Sequence, residues 1–207
     1  MTYLIIAITC VVSIIAFGNS EWMARLQFNA YQIYHRREIH RMLTHGFVHA
    51  NWWHLFVNMF VLYFFGSRAE AILRYLAAEG LVKFPVLVYL VIYLVAVIFA
   101  STISLVRFRD NHWYNSVGAS GGVSAIMFFC IFFEPWSKLY LYGVIGLPGI
   151  IFAVAYIIYA QYMSRRGGDN VNHDAHFLGA IFGFVSPLFI DWHLIKVFIS
   201  QLGSIAH

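Results

Sequence analysis

Charged residues are scarce in this sequence. Only 11% of its 207 residues are Asp, Glu, Lys or Arg, whereas a soluble domain carries about 25%. Because 61% of the residues are apolar, a water-exposed surface cannot be built from this composition. The soluble globular class is therefore excluded, and the composition indicates a protein whose partner is a lipid bilayer.

Cysteine is also rare, and the few basic residues form no stripe. Cys10 and Cys130 lie in apolar segments without CxxC spacing, which excludes a disulfide framework. The net charge of +4 suits anionic lipid, and no nucleic-acid partner is indicated. No charged region leads the first apolar segment and no small-residue cleavage site follows it, so we expect a retained helix. No pattern predicts an oligomeric state.

Long apolar runs, in contrast, recur along the whole chain. A helix of about 20 residues crosses a hydrocarbon layer of roughly 30 Å. The sequence predicts six such spans, at residues 3–17, 52–75, 84–106, 117–133, 139–163 and 175–190, with Pro187 bending the last. The expected fold is an all-α membrane protein with six transmembrane helices in residues 1–190. Residues 191–207 mix apolar and polar side chains and predict an interfacial amphipathic tail.

Polar clusters open the second, fourth and sixth predicted spans. They are residues 51–58, which include His54 and Asn58, residues 118–122 around Ser120, and residues 173–179 around His176. Even-numbered spans of a serpentine chain run in one direction, so these clusters lie on one side at similar depth. Polar side chains are costly at membrane depth and are functional candidates. We therefore expect one site.

Ser120 and His176 predict nucleophilic catalysis at that site. A serine hydroxyl needs a base, and histidine titrates near neutral pH. The glycines beside Ser120 leave room for a substrate backbone, although small residues in membrane helices also serve close packing. Gly179 and Gly183 have the GxxxG spacing that lets the helix of His176 approach the helix of Ser120.

His54 and Asn58 are four residues apart and share one helix face. Each can donate a hydrogen bond to the oxyanion that develops in acyl transfer. The alternative for Asn58 is a hydrogen bond between helices. Asp174 lies two residues before His176 and on a helix points away from it. The residues therefore predict a Ser–His dyad, with Asp174 at a helix start.

These motifs, in this order, resemble the rhomboid family of intramembrane serine proteases. The resemblance rests on residues 41–49 with His54, Asn58 and Gly66, on Gly118-Ala119-Ser120-Gly121, and on Ala175-His176-Phe177-Leu178-Gly179. It covers nearly the whole chain in the minimal six-helix form. It implies catalytic Ser120 and His176, and an oxyanion hole of His54, Asn58 and the Ser120 amide.

Two residues depart from the family pattern. His40 stands where many members have Trp, and Ser124 stands where many have an aromatic ring against the catalytic imidazole. His45 and His49, also four apart, are expected to brace the first loop through hydrogen bonds.

Two arguments place the odd-numbered loops on different sides of the membrane. The odd-numbered loops carry Arg25, Arg36, Arg37, Arg41, Arg107, Arg109, Arg165 and Arg166, and the opposite side carries Arg68, Arg74, Lys83, Lys138 and Lys196. Positive-inside counting would place the odd loops in the cytoplasm. The resemblance places the active site, which adjoins those loops, on the extracytoplasmic side of a plasma or inner membrane, and we follow it.

The expected function is hydrolysis of peptide bonds in or near transmembrane segments of membrane-protein substrates, without metal or cofactor. Two alternatives remain open. The ten histidines and their i, i+4 pairs also fit a metal-dependent membrane hydrolase or metal transporter. A catalytically inactive rhomboid-like protein that binds membrane clients is the second alternative, although both Ser120 and His176 are retained.

Overall fold

The structure is a computed structural model that describes residues 1–141, 145–166 and 171–204. Helices make up most of this part of the chain, as the sequence predicts. In chain order they are α1 (Thr2–Phe17), α2 (Ser20–Leu26), α3 (Ala30–Arg36), α4 (Arg41–Thr44), α5 (Trp52–Ala78), α6 (Pro85–Ala100), α7 (Thr102–Phe108), α8 (Ser120–Phe133), α9 (Gly149–Arg166), α10 (His173–Val185), α11 (Pro187–Ile190) and α12 (Leu194–Gly203). A 3-10 turn, His45–Phe47, follows α4.

Four short strands accompany the helices in these residues. Strand β1 (Phe28–Asn29) pairs antiparallel with β2 (Asn115–Ser116), so that Phe28 lies opposite Ser116. Strand β3 (Lys138–Leu141) pairs antiparallel with β4 (Ile145–Pro148). The first pair ties the long first loop to the segment just before α8.

Helix α8 is the central element of the bundle. Every residue from Gly121 to Phe132 is buried, and α5, α6, α9 and α10 all pack against this helix. A helix that is apolar on all sides must be surrounded by other elements. The first residue of α8, Ser120, is thereby held at a fixed place among its neighbours.

Glycines allow α10 to approach α8 at backbone distance. A Cβ atom on Gly179 would overlap the carbonyl oxygen of Gly121, and one on Gly183 would overlap the backbone of Ala125. The predicted GxxxG contact between the helices of His176 and Ser120 is confirmed by this packing.

The predicted span boundaries need three corrections. Residues 138–141 and 145–148 form the paired strands β3 and β4. The helix of the fifth predicted span, α9, therefore begins at Gly149 rather than at residue 139. Residues 142–144 of that predicted span lie outside the described residues. The helix of the fourth predicted span, α8, begins at Ser120, three residues later than predicted. The helix of the sixth predicted span, α10, begins at His173, two residues earlier than predicted.

The number of membrane spans is supported only in part. In the described ranges, two helical stretches are long and apolar enough to cross a bilayer, Trp52–Ala78 and Pro85–Phe108, the second continuing through Ser101. Helices α1, α8 and α12 are apolar but shorter. The prediction of six spans is therefore not confirmed by helix length and composition.

Helix α12 closes the end of the bundle that is remote from Ser120. Phe198 stacks on Phe132 at 5.1 Å between ring centroids, and Trp136 Nε1 donates to the carbonyl of Leu202 at 3.2 Å. The predicted tail is thus helical over most of its length and packs on α8. Its interfacial position stays a prediction, and residues 205–207 lie outside the described residues.

Candidate active site

Ser120 is the first residue of α8 and is partly exposed. Backbone N–H groups in the first turn of a helix have no partner within that helix, so the Ser120 amide is available to a ligand. Two residues earlier, Gly118 has a φ of +124°, a conformation that side chains disfavour. A Cβ atom there would lie 2.7 Å from Cε1 of His54. Glycine is therefore required where the loop passes the His54 ring.

The first loop holds the backbone that precedes the serine. The Gly118 amide donates to the carbonyl of His45 at 3.0 Å, and the Ala119 amide donates to His49 Nε2 at 3.3 Å. An imidazole that accepts at Nε2 is neutral and carries its proton on Nδ1. His49 Nδ1 lies 3.0 Å from Ser13 Oγ, which donates to the Phe47 carbonyl. This chain of bonds links α1, the first loop and the start of α8.

The two histidines of the first loop therefore differ. The predicted brace is confirmed for the ring of His49. The ring of His45 is buried, packs edge-on against Phe28 and lies near the backbones of Met42 and Val97. Burial lowers the pKa of His45 to about 4, and burial together with nearby His54 lowers the pKa of His49 to about 3. Both rings are neutral in the folded protein near pH 7.

His54 and Asn58 occupy the first two turns of α5. Asn51 caps this helix by accepting the His54 amide at 2.8 Å, which fixes the helix start beside Gly118. Buried Asn58 donates Nδ2 to the carbonyl of His54 at 2.9 Å. One of the two Asn58 Nδ2 hydrogens is thus bound within its own helix.

His176 lies in the first turn of α10, where its ring meets α9. Its Nδ1 is 3.1 Å from the hydroxyl of Tyr156, and the two ring planes are within 5° of parallel. The same hydroxyl is 2.7 Å from Ser124 Oγ, one turn after Ser120. The imidazole is therefore held from the side that carries Nδ1.

The structure brings Ser120 and His176 to the same end of two touching helices. Each lies in the first turn of its helix, and the helices touch where Gly121, next to Ser120, meets Gly179, three residues after His176. No hydrogen bond joins Ser120 Oγ to His176 within the described part of the chain. Resting geometry of catalytic pairs is often loose and tightens with substrate.

Asp174 stabilises the start of α10 instead of contacting the imidazole. Its carboxylate accepts from Arg107 Nη1 at 2.5 Å and from Ser164 Oγ. Asn172 caps the helix by accepting the Ala175 amide at 3.1 Å, and its Nδ2 donates to Ser104 Oγ at 3.0 Å. These bonds join α7, α9 and α10 around the base.

Sequence reasoning missed the residues that support the site. Tyr156, Arg107 and Asn172 were not among the candidates. An Asn directly before an apolar helix is a known cap signal, so Asn172 was detectable. Tyr156 was detectable only as a polar group inside an apolar span. Nothing local to Arg107 indicates a partner 67 residues away.

The paired histidines could belong to a metal site only if further ligands lay beside them. In residues 1–141, 145–166 and 171–204, no three side chains of His, Cys, Asp or Glu lie close enough together to hold a metal ion. The His45/His49 and His54/Asn58 pairs have the other contacts given above. The groups gathered at the site are a hydroxyl, imidazoles, an amide side chain and free backbone amides.

The family model described as "Rhomboid domain" matches residues 36–192. The chain is also similar to "RHOMBOID-like protein 12, mitochondrial" of Arabidopsis thaliana, with 29% identity over 157 residues. That match covers 69% of this chain and 44% of the relative, so the chain corresponds to less than half of the relative's length.

Proposed function

Because this chain belongs to the rhomboid family, whose members are embedded in membranes, we propose that it is an intramembrane serine endopeptidase. Its substrates are membrane proteins, which it cleaves in or near their transmembrane segments. One observation carries the proposal. Ser120 and His176 lie in the first turns of two helices whose backbones touch through Gly121 and Gly179, and this contact supports a shared location for a hydroxyl and a base.

Acyl transfer would proceed through these two residues. Ser120 Oγ attacks the scissile carbonyl carbon while Nε2 of His176 takes the hydroxyl proton. The tetrahedral intermediate collapses as the imidazolium gives that proton to the leaving amine. His176 then takes a proton from water, which attacks the acyl ester and releases the carboxylic acid and free Ser120.

The negative charge of the intermediate falls among donors around Gly118. The Ser120 amide points from the first turn of α8, and the positive end of the helix dipole adds to its effect. The His54 ring lies against the Gly118 backbone, and the second Nδ2 hydrogen of Asn58 lies one turn further along α5. These three groups form the proposed oxyanion hole.

The length of α8 supports a site below the membrane surface. Its 14 residues give about 21 Å of helix at 1.5 Å per residue, less than the roughly 30 Å of a hydrocarbon layer. If the C-terminal end of α8 reaches one interface of the bilayer, Ser120 at its N-terminal end would lie roughly 9 Å below the other interface. In the proposed topology the six spans are α1, α5, α6 with α7, α8, α9, and α10 with α11.

A recessed site selects its substrates by their conformation. A formed helix hides its carbonyls in its own hydrogen bonds, so a substrate must unwind before acylation. We expect a substrate helix to enter sideways from the bilayer. Small side chains at the cleaved bond and helix-weakening residues nearby should favour cleavage.

Fluorophosphonate labelling of the purified full chain tests this function. A single label is expected, and Ser120→Ala should abolish both the label and the cleavage of a transmembrane-segment substrate in proteoliposomes. Ser200→Ala, on the exposed part of α12, is the matched control and should keep both.

Three results would overturn the proposal. Labelling and cleavage that survive Ser120→Ala would remove the serine from the chemistry. A folded parent protein that binds transmembrane segments but neither labels nor cleaves would instead be an inactive client-binding member of the family. Cleavage abolished by a chelator and restored by a transition metal would indicate the metal-dependent alternative.

A further inference from the structure

Tyr156 connects the proposed base to the helix of the proposed nucleophile. Its hydroxyl lies 3.1 Å from Nδ1 of His176 and 2.7 Å from Ser124 Oγ. Its ring lies parallel to the imidazole at 6.2 Å between centroids. Helices α8, α9 and α10 therefore each contribute one side chain to a continuous hydrogen-bonded row.

The direction of these bonds decides which tautomer the imidazole adopts. A neutral His176 can take the proton of Ser120 at Nε2 only if its own proton is on Nδ1. Nδ1 then donates to the Tyr156 oxygen, and the Tyr156 hydroxyl donates to Ser124 Oγ. The opposite direction would leave a proton on Nε2 and block the base. One phenol oxygen can accept and donate at once, so the row of three groups is compatible with the productive direction.

Tyr156 also supplies the aromatic ring that the sequence lacks at Ser124. The resemblance leads one to expect a ring one turn after Ser120, where this chain has a small hydroxyl. Ser124 is buried, and its size leaves room for a ring that arrives from α9. The pair Tyr156 and Ser124 therefore replaces a single aromatic residue with a ring and an anchor on different helices.

We propose that Tyr156, anchored by Ser124, is the positioning residue that holds His176 as the Nδ1–H tautomer with Nε2 directed to Ser120. The proposal rests on the proposed function. Tyr156 contacts neither the substrate nor the reacting atoms in this scheme. It acts through the imidazole, and its hydroxyl and its ring make separable contributions.

Kinetics of Tyr156→Phe test the hydroxyl, because this variant keeps the ring. We expect kcat to fall about tenfold, since a hydrogen bond to the charged imidazolium is lost in the transition state, with KM within about twofold. The acidic limb of the pH–rate profile should move to lower pH, because that bond favours the protonated ring. Tyr162→Phe, at an exposed position on α9, is the matched control and should change neither kcat nor the pH–rate profile.

Ser124→Ala and the double variant test the anchor. The single variant should reproduce part of the kcat loss. The double variant should be no slower than Tyr156→Phe, because both changes break one row. Independent, multiplicative losses with an unmoved pH profile would show that the two residues only pack, and the inference would be wrong.

Nitrogen NMR of the histidine rings in the full chain in nanodiscs reports the tautomer without any need for activity. His176 is assigned by the resonance lost in His176→Gln. The parent should show a protonated Nδ1, and Tyr156→Phe should show a mixture of tautomers. A parent His176 protonated on Nε2 would overturn the inference even if the protein cleaves. A parent that holds the Nδ1–H tautomer but does not cleave would refute the proposed function and leave the positioning intact.

Discussion

The carboxylate of Asp174 has a structural task that separates it from the chemistry. It is 9% exposed and binds Arg107 and Ser164, so its charge is used to join α10 to α7 and α9. Asp174→Asn should keep kcat within about tenfold of the parent and lower the unfolding temperature, because the largely buried carboxylate loses its charge and its ion pair with the half-exposed Arg107. His176→Ala should eliminate turnover.

The pair of variants is compared by turnover and by thermal unfolding in the same detergent. Arg107→Gln, which breaks the same ion pair from its other side, should behave like Asp174→Asn in both measurements. If folded Asp174→Asn were as inactive as His176→Ala, the carboxylate would belong to a catalytic triad and the dyad would be wrong.

The contribution of His54 to the transition state can be measured separately from any contribution to substrate binding. Its ring lies beside Gly118 and the first amide of α8, where the oxyanion would form. His54→Ala should lower kcat on the order of a hundredfold with little change in KM, as expected for a donor that acts only in the transition state. A change in KM alone, with kcat preserved, would assign His54 to substrate binding instead.

At the scale of helices, the contact between α10 and α8 leaves no space for a side chain. Gly179→Ala should separate the two helices and lower kcat by at least about a hundredfold, because small misplacements of a base are costly. Gly203→Ala is the control, since a Cβ atom there has nothing within 4 Å. Circular dichroism checks that the helices persist. Full activity of Gly179→Ala would show that this contact does not set the geometry of the dyad.

The first loop gives the protein a predictable loss of stability in acid. His45 and His49 are neutral when folded, with pKa values of about 4 and about 3, whereas unfolded histidine titrates near 6.5. The unfolded state therefore binds more protons below pH 6.5, and stability falls as the pH is lowered from there to about 4. Each histidine contributes about 1.4 kcal/mol per pH unit in that window.

Thermal unfolding of the full chain between pH 7.5 and 4.5 measures this effect. His49→Asn, which cannot titrate, should have a shallower dependence of the unfolding temperature on pH than the parent. An unchanged slope in His49→Asn would mean that the ring of His49 is protonated in the folded protein and does not accept from Ala119.

Local patterns explain which elements the sequence could predict. Apolar runs bounded by polar clusters located α1, α5 and α10 within a few residues, because burial and helix periodicity are local signals. The β3–β4 hairpin was missed because residues 139–148 are as apolar as a helix, and a short apolar run does not distinguish the two. The Tyr156–Ser124 row was missed because it depends on how α9 packs beside α8, which no local spacing records.

The orientation of the whole molecule in the membrane is the remaining point at which two arguments conflict. Within residues 1–141, 145–166 and 171–204, four of the eight arginines of the odd-numbered loops lie in ion pairs: Arg25–Glu21, Arg41–Glu38, Arg107–Asp174 and Arg109–Asp110. Of the five basic residues on the other side, two are paired: Arg68–Glu134 and Arg74–Glu70. Acidic partners contribute little to the positive-inside rule, so these ion pairs leave the excess of eight basic residues over five in place, against the side that the family resemblance implies.

We follow the family resemblance and expect the odd-numbered loops, together with Ser120 and His176, on the extracytoplasmic side. In a background of Cys10→Ala and Cys130→Ala, the exposed positions Asn111 and Glu79 report the two sides as single cysteines. An impermeant maleimide applied to intact cells should label Asn111→Cys at once and Glu79→Cys only after permeabilisation. Because α5 and α6 flank Glu79 while α7 and α8 flank Asn111, the two positions are separated by one proposed span. The reverse labelling would place the active site at the cytoplasmic face, and equal labelling of both positions would show that α6 with α7 does not cross the bilayer.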